Sequence, residues 1–163
     1  MTHILVYLVF LAACAGYALA CGGAPERMVA ALFAAATVLT FAAQATLKRG
    51  DFAVTETGVF LVDLALLAGL FAVMLMTTRF WTIWLVALQL VPVASHCAKL
   101  LMGPQIVPWA YAVALAVWSY PMLAILVLGT ARHRERMRDY GVDMPWISPS
   151  RRMRRPLLWD YRE

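Results

Sequence analysis

Asp63, Gln89 and His96 are polar or ionisable side chains in stretches that are otherwise apolar enough to cross a bilayer. In hydrocarbon each such group needs a partner, so an acid and an imidazole at similar depth are expected to meet or to serve a ligand. Seven residues separate Gln89 from His96. At about 100° per residue, that spacing puts both on one helix face. Gln44, Tyr7 and Tyr111 are expected near the same depth, in neighbouring spans. Together with Asp63, Gln89 and His96 they make up a polar intramembrane pocket. An acid beside an imidazole can exchange a proton, contribute to a metal site or bind a polar ligand. The competing expectation is structural: a hydrogen-bonded clamp between helices, with Gln44 and Gln89 as interhelical glue.

Other chemistries lack the residues they need. A b-type haem needs two axial ligands that face each other, and only His96 and His3 lie toward the same end. His3 stands two residues from the start of the chain and is expected outside the hydrocarbon. No His-x-x-x-His, Glu-x-x-His or cysteine cluster offers a metal set. Gly-x-Ser-x-Gly, a Walker loop and His-Glu-x-x-His are absent. Accordingly no catalytic residue, metal ligand or cofactor is assigned. Cys14, Cys21 and Cys97 have no CxxC spacing and read as small buried hydrophobes.

The elements that position these residues are apolar runs too long for a soluble core. Of the 163 residues, 63% are hydrophobic and 14% charged. Five spans are expected, at about 4–20, 28–46, 58–76, 80–101 and 108–130. They make an all-α integral membrane domain over residues 1–130. The links are short, so consecutive helices should be antiparallel neighbours. Gly22, Gly23 and Pro25 punctuate the first link, and Gly103, Pro104 and Pro108 the last. Pro92 and Pro121 are expected to kink the fourth and fifth helices. Ala12, Gly16 and Ala20 in the first helix form a small-residue ridge that favours close helix contact. Ala65 with Gly69, and Ala68 with Ala72, do the same in the third.

The net charge of +5 belongs to the tail. From Arg132 onward nine Arg oppose five acidic residues, leaving +1 for everything before. The positive-inside rule then places the C-terminus in the cytoplasm, and five spans put the N-terminus outside. The pocket would open to the periplasm of a bacterial inner membrane. Trp81 and Trp84 would anchor the inner interface and Trp109 the outer, with Trp118 a mid-helix packing residue. Within the 131–163 tail, helix is expected to continue to Tyr140 and stop at Gly141. Beyond it Trp146, Arg151, Arg152, Arg154, Arg155 and Trp159 suit an anionic lipid surface or a protein partner. Nucleic acid is not an expected partner.

The leading expectation is therefore a non-enzymatic accessory or scaffold subunit. It would pack against lipid and a membrane-protein partner, or against further copies of itself. The alternative is a small proton-coupled transporter or ligand-sensing protein that uses Asp63, His96, Gln89 and Gln44. A b-type haem electron carrier, which a Soret band would reveal, is a remote third.

Overall fold

The computed structural model describes residues 2–46, 52–102 and 108–141. The described chain is helical: α1 (Thr2–Cys21), α2 (Ala24–Thr46), α3 (Phe52–Met76), α4 (Trp81–Met102), α5 (Pro108–Ala116) and α6 (Ser119–Tyr140). Five stretches are long and apolar enough to cross a membrane, the last running from α5 into α6. This is a multi-pass membrane protein.

The links between the first four helices are short enough that successive helices alternate in direction, as expected. Among the described residues α3 packs on α2 and α4 alone, and α1 on α2 and α6. The order α1, α2, α3, α4 and α5–α6 thus closes into a ring, with α2 also reaching α6. Half of this ring is packed solid. Ala18, Val29, Leu70, Val73, Leu85, Leu123 and Leu126 meet where α1 and α3 end and α2 and α4 begin. No more than 28% of any span is buried, and exposed Leu, Val and Phe cover the rest. In a bilayer those side chains face acyl chains, which are as apolar as the core.

Several local features depart from the sequence expectation. The fifth span is two helices, with a turn at Val117 and Trp118. Pro121 has no N–H to give the Val117 carbonyl, which accepts from Tyr120 N instead at 3.3 Å. α4 by contrast is a single helix through Pro92. α2 starts at Ala24 rather than Met28, because Pro25 is tolerated in a first turn and Glu26 suits the positive end of the helix dipole. Glu26 therefore joins Asp63 as an acidic residue within a spanning helix, whereas the span expected at 28–46 left it in a link. Gly22 permits the α1–α2 turn: a Cβ there would collide with the Ala18 carbonyl.

The small-residue ridge of α1 also differs. Ala12, Gly16 and Ala20 are exposed, and nothing lies within 4 Å of a Cβ built on Gly16. The buried face of α1 is Leu11, Cys14, Ala15 and Ala18 instead. In α3, Ala65, Ala68 and Ala72 are exposed, and only Gly69 receives a neighbour, Leu32 of α2. Trp81 packs its ring over Gly129 of α6, whereas Trp84 and Trp109 are exposed, as interfacial anchors would be. Of the cysteines only Cys14 is buried. Cys97 is exposed and Cys21 intermediate. α6 runs through the Arg-rich stretch and closes on Gly141, whose φ of 67° is left-handed and whose N–H bonds Met137 O at 3.1 Å.

Candidate functional site

α3 and α4 run antiparallel, which brings Asp63 opposite Gln89 and His96. At about 1.5 Å per residue, Asp63 lies about 9 Å inside the span that begins at Thr57. The His96 Nε2 atom is 3.0 Å from Asp63 Oδ2. Gln89 Nε2 donates to Asp63 Oδ1 at 3.2 Å and to the Asp63 carbonyl at 3.3 Å. α5 adds Tyr111, whose hydroxyl is 2.7 Å from His96 Nδ1. One tautomer satisfies every group: Nε2–H donates to Asp63, and Nδ1 accepts from the Tyr111 hydroxyl. Asp63, His96 and Tyr111 thus form a continuous chain from carboxylate to phenol across three helices.

The surroundings fix this chain in place. The Phe60 ring lies 5.3 Å from the imidazole, centroid to centroid, and Tyr111 meets the imidazole edge-on at 5.6 Å. Lys99 Nζ sits 4.2 Å above the Tyr111 ring, one turn beyond His96 on α4. Gln89 and His96 are each only 3% exposed, while the Asp63 side chain keeps 20%. That difference decides what the cluster presents. The imidazole is sealed behind the acid, and Asp63 faces open space.

The space is a cavity of about 440 Å³ within the ring of helices, occupying the half that the apolar core leaves unfilled. Every spanning element contributes to its wall, Tyr7 from α1, Thr37 and Gln44 from α2, Asp63 from α3, Gln89 from α4 and Tyr120 from α6. The α5–α6 break forms part of the same wall through Ala116, Trp118 and Ser119. Non-helical backbone at membrane depth is tolerated where it lines a cavity or is buried in protein, and the turn at Val117 and Trp118 fits that rule. Trp118 is thus a cavity residue at a helix break, not a mid-helix packing residue.

Of the six pocket residues expected from sequence, four are joined by hydrogen bonds: Asp63, Gln89, His96 and Tyr111. The other two line the cavity apart from the cluster. Tyr7 pairs with Thr37 at 3.3 Å and packs edge-on against Tyr120. Gln44 is exposed at the cavity wall. Thr37 and Tyr120 escape the sequence reading and Trp118 reads there as packing, since Thr and aromatic residues in an apolar span give no site signal until helix order is known. His3 gains nothing as a haem ligand. Its side chain lies outside the described residues, and both nitrogens of His96 are engaged, so iron would displace Asp63 or Tyr111. Trp146, Arg151, Arg152, Arg154, Arg155 and Trp159 also lie outside the described residues.

Glu26 forms a second polar feature at the opposite end. It is fully buried, and neither carboxylate oxygen has a hydrogen-bond partner among the described residues. Glu26 Oε2 and His133 Nδ1 both lie about 3 Å from the point where a Gly23 Cβ would stand, so Gly23 is what admits them together.

No family model, curated protein or solved structure matches this chain.

Proposed function

We propose that this is a small ligand-binding membrane protein, a transporter or ligand sensor, whose site is the cavity headed by Asp63. The observation that carries this reading is the placement of the acid. A clamp between helices needs only satisfied polar groups sealed from solvent, as His96 is. Asp63 is satisfied by both of them and still faces a cavity of about 440 Å³. Pockets of this size, mostly apolar and with a few convergent polar groups, are typical small-molecule sites between helices of bundles. The donors of the Asp63–His96–Tyr111 chain point toward the acid, which gives Asp63 a route for receiving a proton from the protein side as ligand leaves. In the orientation that the positive-inside rule favours, the cavity opens to the periplasm of a bacterial inner membrane.

Filling the cavity without touching the cluster tests the reading. Ala36 lines the cavity on α2. Small amphiphilic compounds that raise the melting temperature of the purified protein should fail to do so for Ala36→Phe. If no compound in a chemically diverse library stabilises the wild type, or if Ala36→Phe responds equally, the site reading falls.

An accessory or scaffold role is supported by a different observation, the open ridge of Ala12, Gly16 and Ala20 on α1. A second transmembrane helix, from a partner or another copy, can approach such a ridge closely. The tail residues Arg151, Arg152, Arg154, Arg155, Trp146 and Trp159 would supply further docking to a partner or to anionic lipid. Purification in mild detergent tests this reading. A stoichiometric membrane partner, or a homo-oligomer lost in Gly16→Leu, would support it, and a monomer indifferent to that change would remove it.

A further inference from the structure

The residues lining the cavity share one further property. Among the described residues that line it, Asp63 alone carries a formal charge, with no Lys, Arg or His beside it. Its two side-chain donors are Gln89, an amide, and His96, which as the neutral Nε2–H imidazole orients the carboxylate without cancelling its charge. The nearest cation named in the cluster, Lys99, sits over the Tyr111 ring and does not line the cavity. The rest of the wall is rich in aromatic rings: Tyr7, Phe33, Phe41, Trp118 and Tyr120. Aromatic faces attract cations, most strongly where water is excluded, and repel anions. A carboxylate in a low-dielectric wall does the same with greater strength.

Resting on the cavity as a ligand site, we infer that its ligand is a lipophilic monocation, an amine or onium centre on an apolar body. The charge sits at Asp63 and the body lies against the aromatic wall. The mostly apolar lining excludes small hydrated cations, which lose more hydration than one carboxylate returns. Lipophilic anions are excluded by Asp63 itself. Neutral compounds of the same shape keep the apolar contacts and lose the charge pairing.

The experiment uses the full chain in nanodiscs of zwitterionic lipid and three probes of similar shape: methyltriphenylphosphonium, neutral triphenylphosphine oxide and the tetraphenylborate anion. Calorimetric titration should show saturable one-to-one binding of the cation, at least tenfold weaker binding of the neutral probe and none of the anion. Asp63→Asn should bring the cation down to the neutral probe's affinity, and Asp63→Glu should restore the preference. Equal affinity for cation and neutral probe, both abolished by Ala36→Phe, would overturn the charge assignment and leave the cavity as a ligand site. Cation binding that survives both Ala36→Phe and Asp63→Asn would overturn the inference and the site together, as would failure of the cation to bind the wild type.

Discussion

Replacing Asp63 by Asn and by Ala should give two different stability losses, because the two changes leave different groups unpaired. In Asp63→Ala, His96 Nε2–H loses its acceptor at 3.0 Å and the Gln89 amide loses the one at 3.2 Å, keeping only the residue-63 carbonyl at 3.3 Å. Soluble proteins pay about 1–3 kcal/mol for each buried group orphaned in this way. Hydrogen bonds between transmembrane helices average about 0.6 kcal/mol with a maximum of about 1.7, since the unfolded chain in lipid finds other partners. The membrane scale applies here, and two lost bonds give about 1–3 kcal/mol. Asparagine behaves otherwise. Its carbonyl can still accept from His96, and its amide can donate to Gln89 once that side chain turns its own carbonyl inward. The turn sacrifices only the 3.3 Å bond from Gln89 to the backbone carbonyl of residue 63. Removing a charge from the membrane offsets part of that loss. Asp63→Asn should therefore stay within about 1 kcal/mol of wild type. Unfolding in mixed detergent micelles, followed by circular dichroism across an SDS titration, measures both variants. Equal losses for Ala and Asn, or a larger loss for Asn, would refute the hydrogen-bond assignment around residue 63.

Other outcomes follow from the packing. Gly129→Ala places a methyl about 3 Å from the rigid Trp81 indole and should cost about 1–3 kcal/mol in the same titration. Gly69→Ala meets only the mobile end of Leu32 and should cost less. Gly16→Ala meets nothing and should stabilise the monomer by up to about 1 kcal/mol through helix propensity. A membrane-permeant maleimide should modify exposed Cys97 well before buried Cys14, which peptide mass mapping over a time course would show. Pro121→Ala returns an N–H to the Val117 carbonyl, which should tighten the α5–α6 turn and slow amide exchange at residues 117–121.

Much of the fold can be read from the sequence because a bilayer leaves few choices. A run of about 20 apolar residues must be helical, and the short links make successive helices antiparallel. The same reasoning placed Asp63 and His96 at one depth, and helix spacing put Gln89 beside His96. It could not order the helices around the ring, so the contact of Asp63 with His96 and the approach of Tyr111 were open. The cavity was equally hidden, since it depends on where α1 and α6 stand relative to α3. The ridge of α1 shows the limit of motif reading: Ala12, Gly16 and Ala20 have the right spacing for close contact, yet the chain buries the neighbouring face. Glu26 was missed because a helix start at Met28 left it in a link. Pro25 is as compatible with the first turn of a helix as with a loop, and the sequence gives no reason to prefer either.

The most direct test of the central claim is photoaffinity labelling of the protein in nanodiscs with a diazirine-bearing triphenylphosphonium. Labels should concentrate on Tyr7, Phe41, Trp118 and Tyr120 and disappear under excess unlabelled methyltriphenylphosphonium. Labels confined to outward-facing residues such as Leu19, Leu75 and Leu100, and insensitive to competitor, would contradict the account.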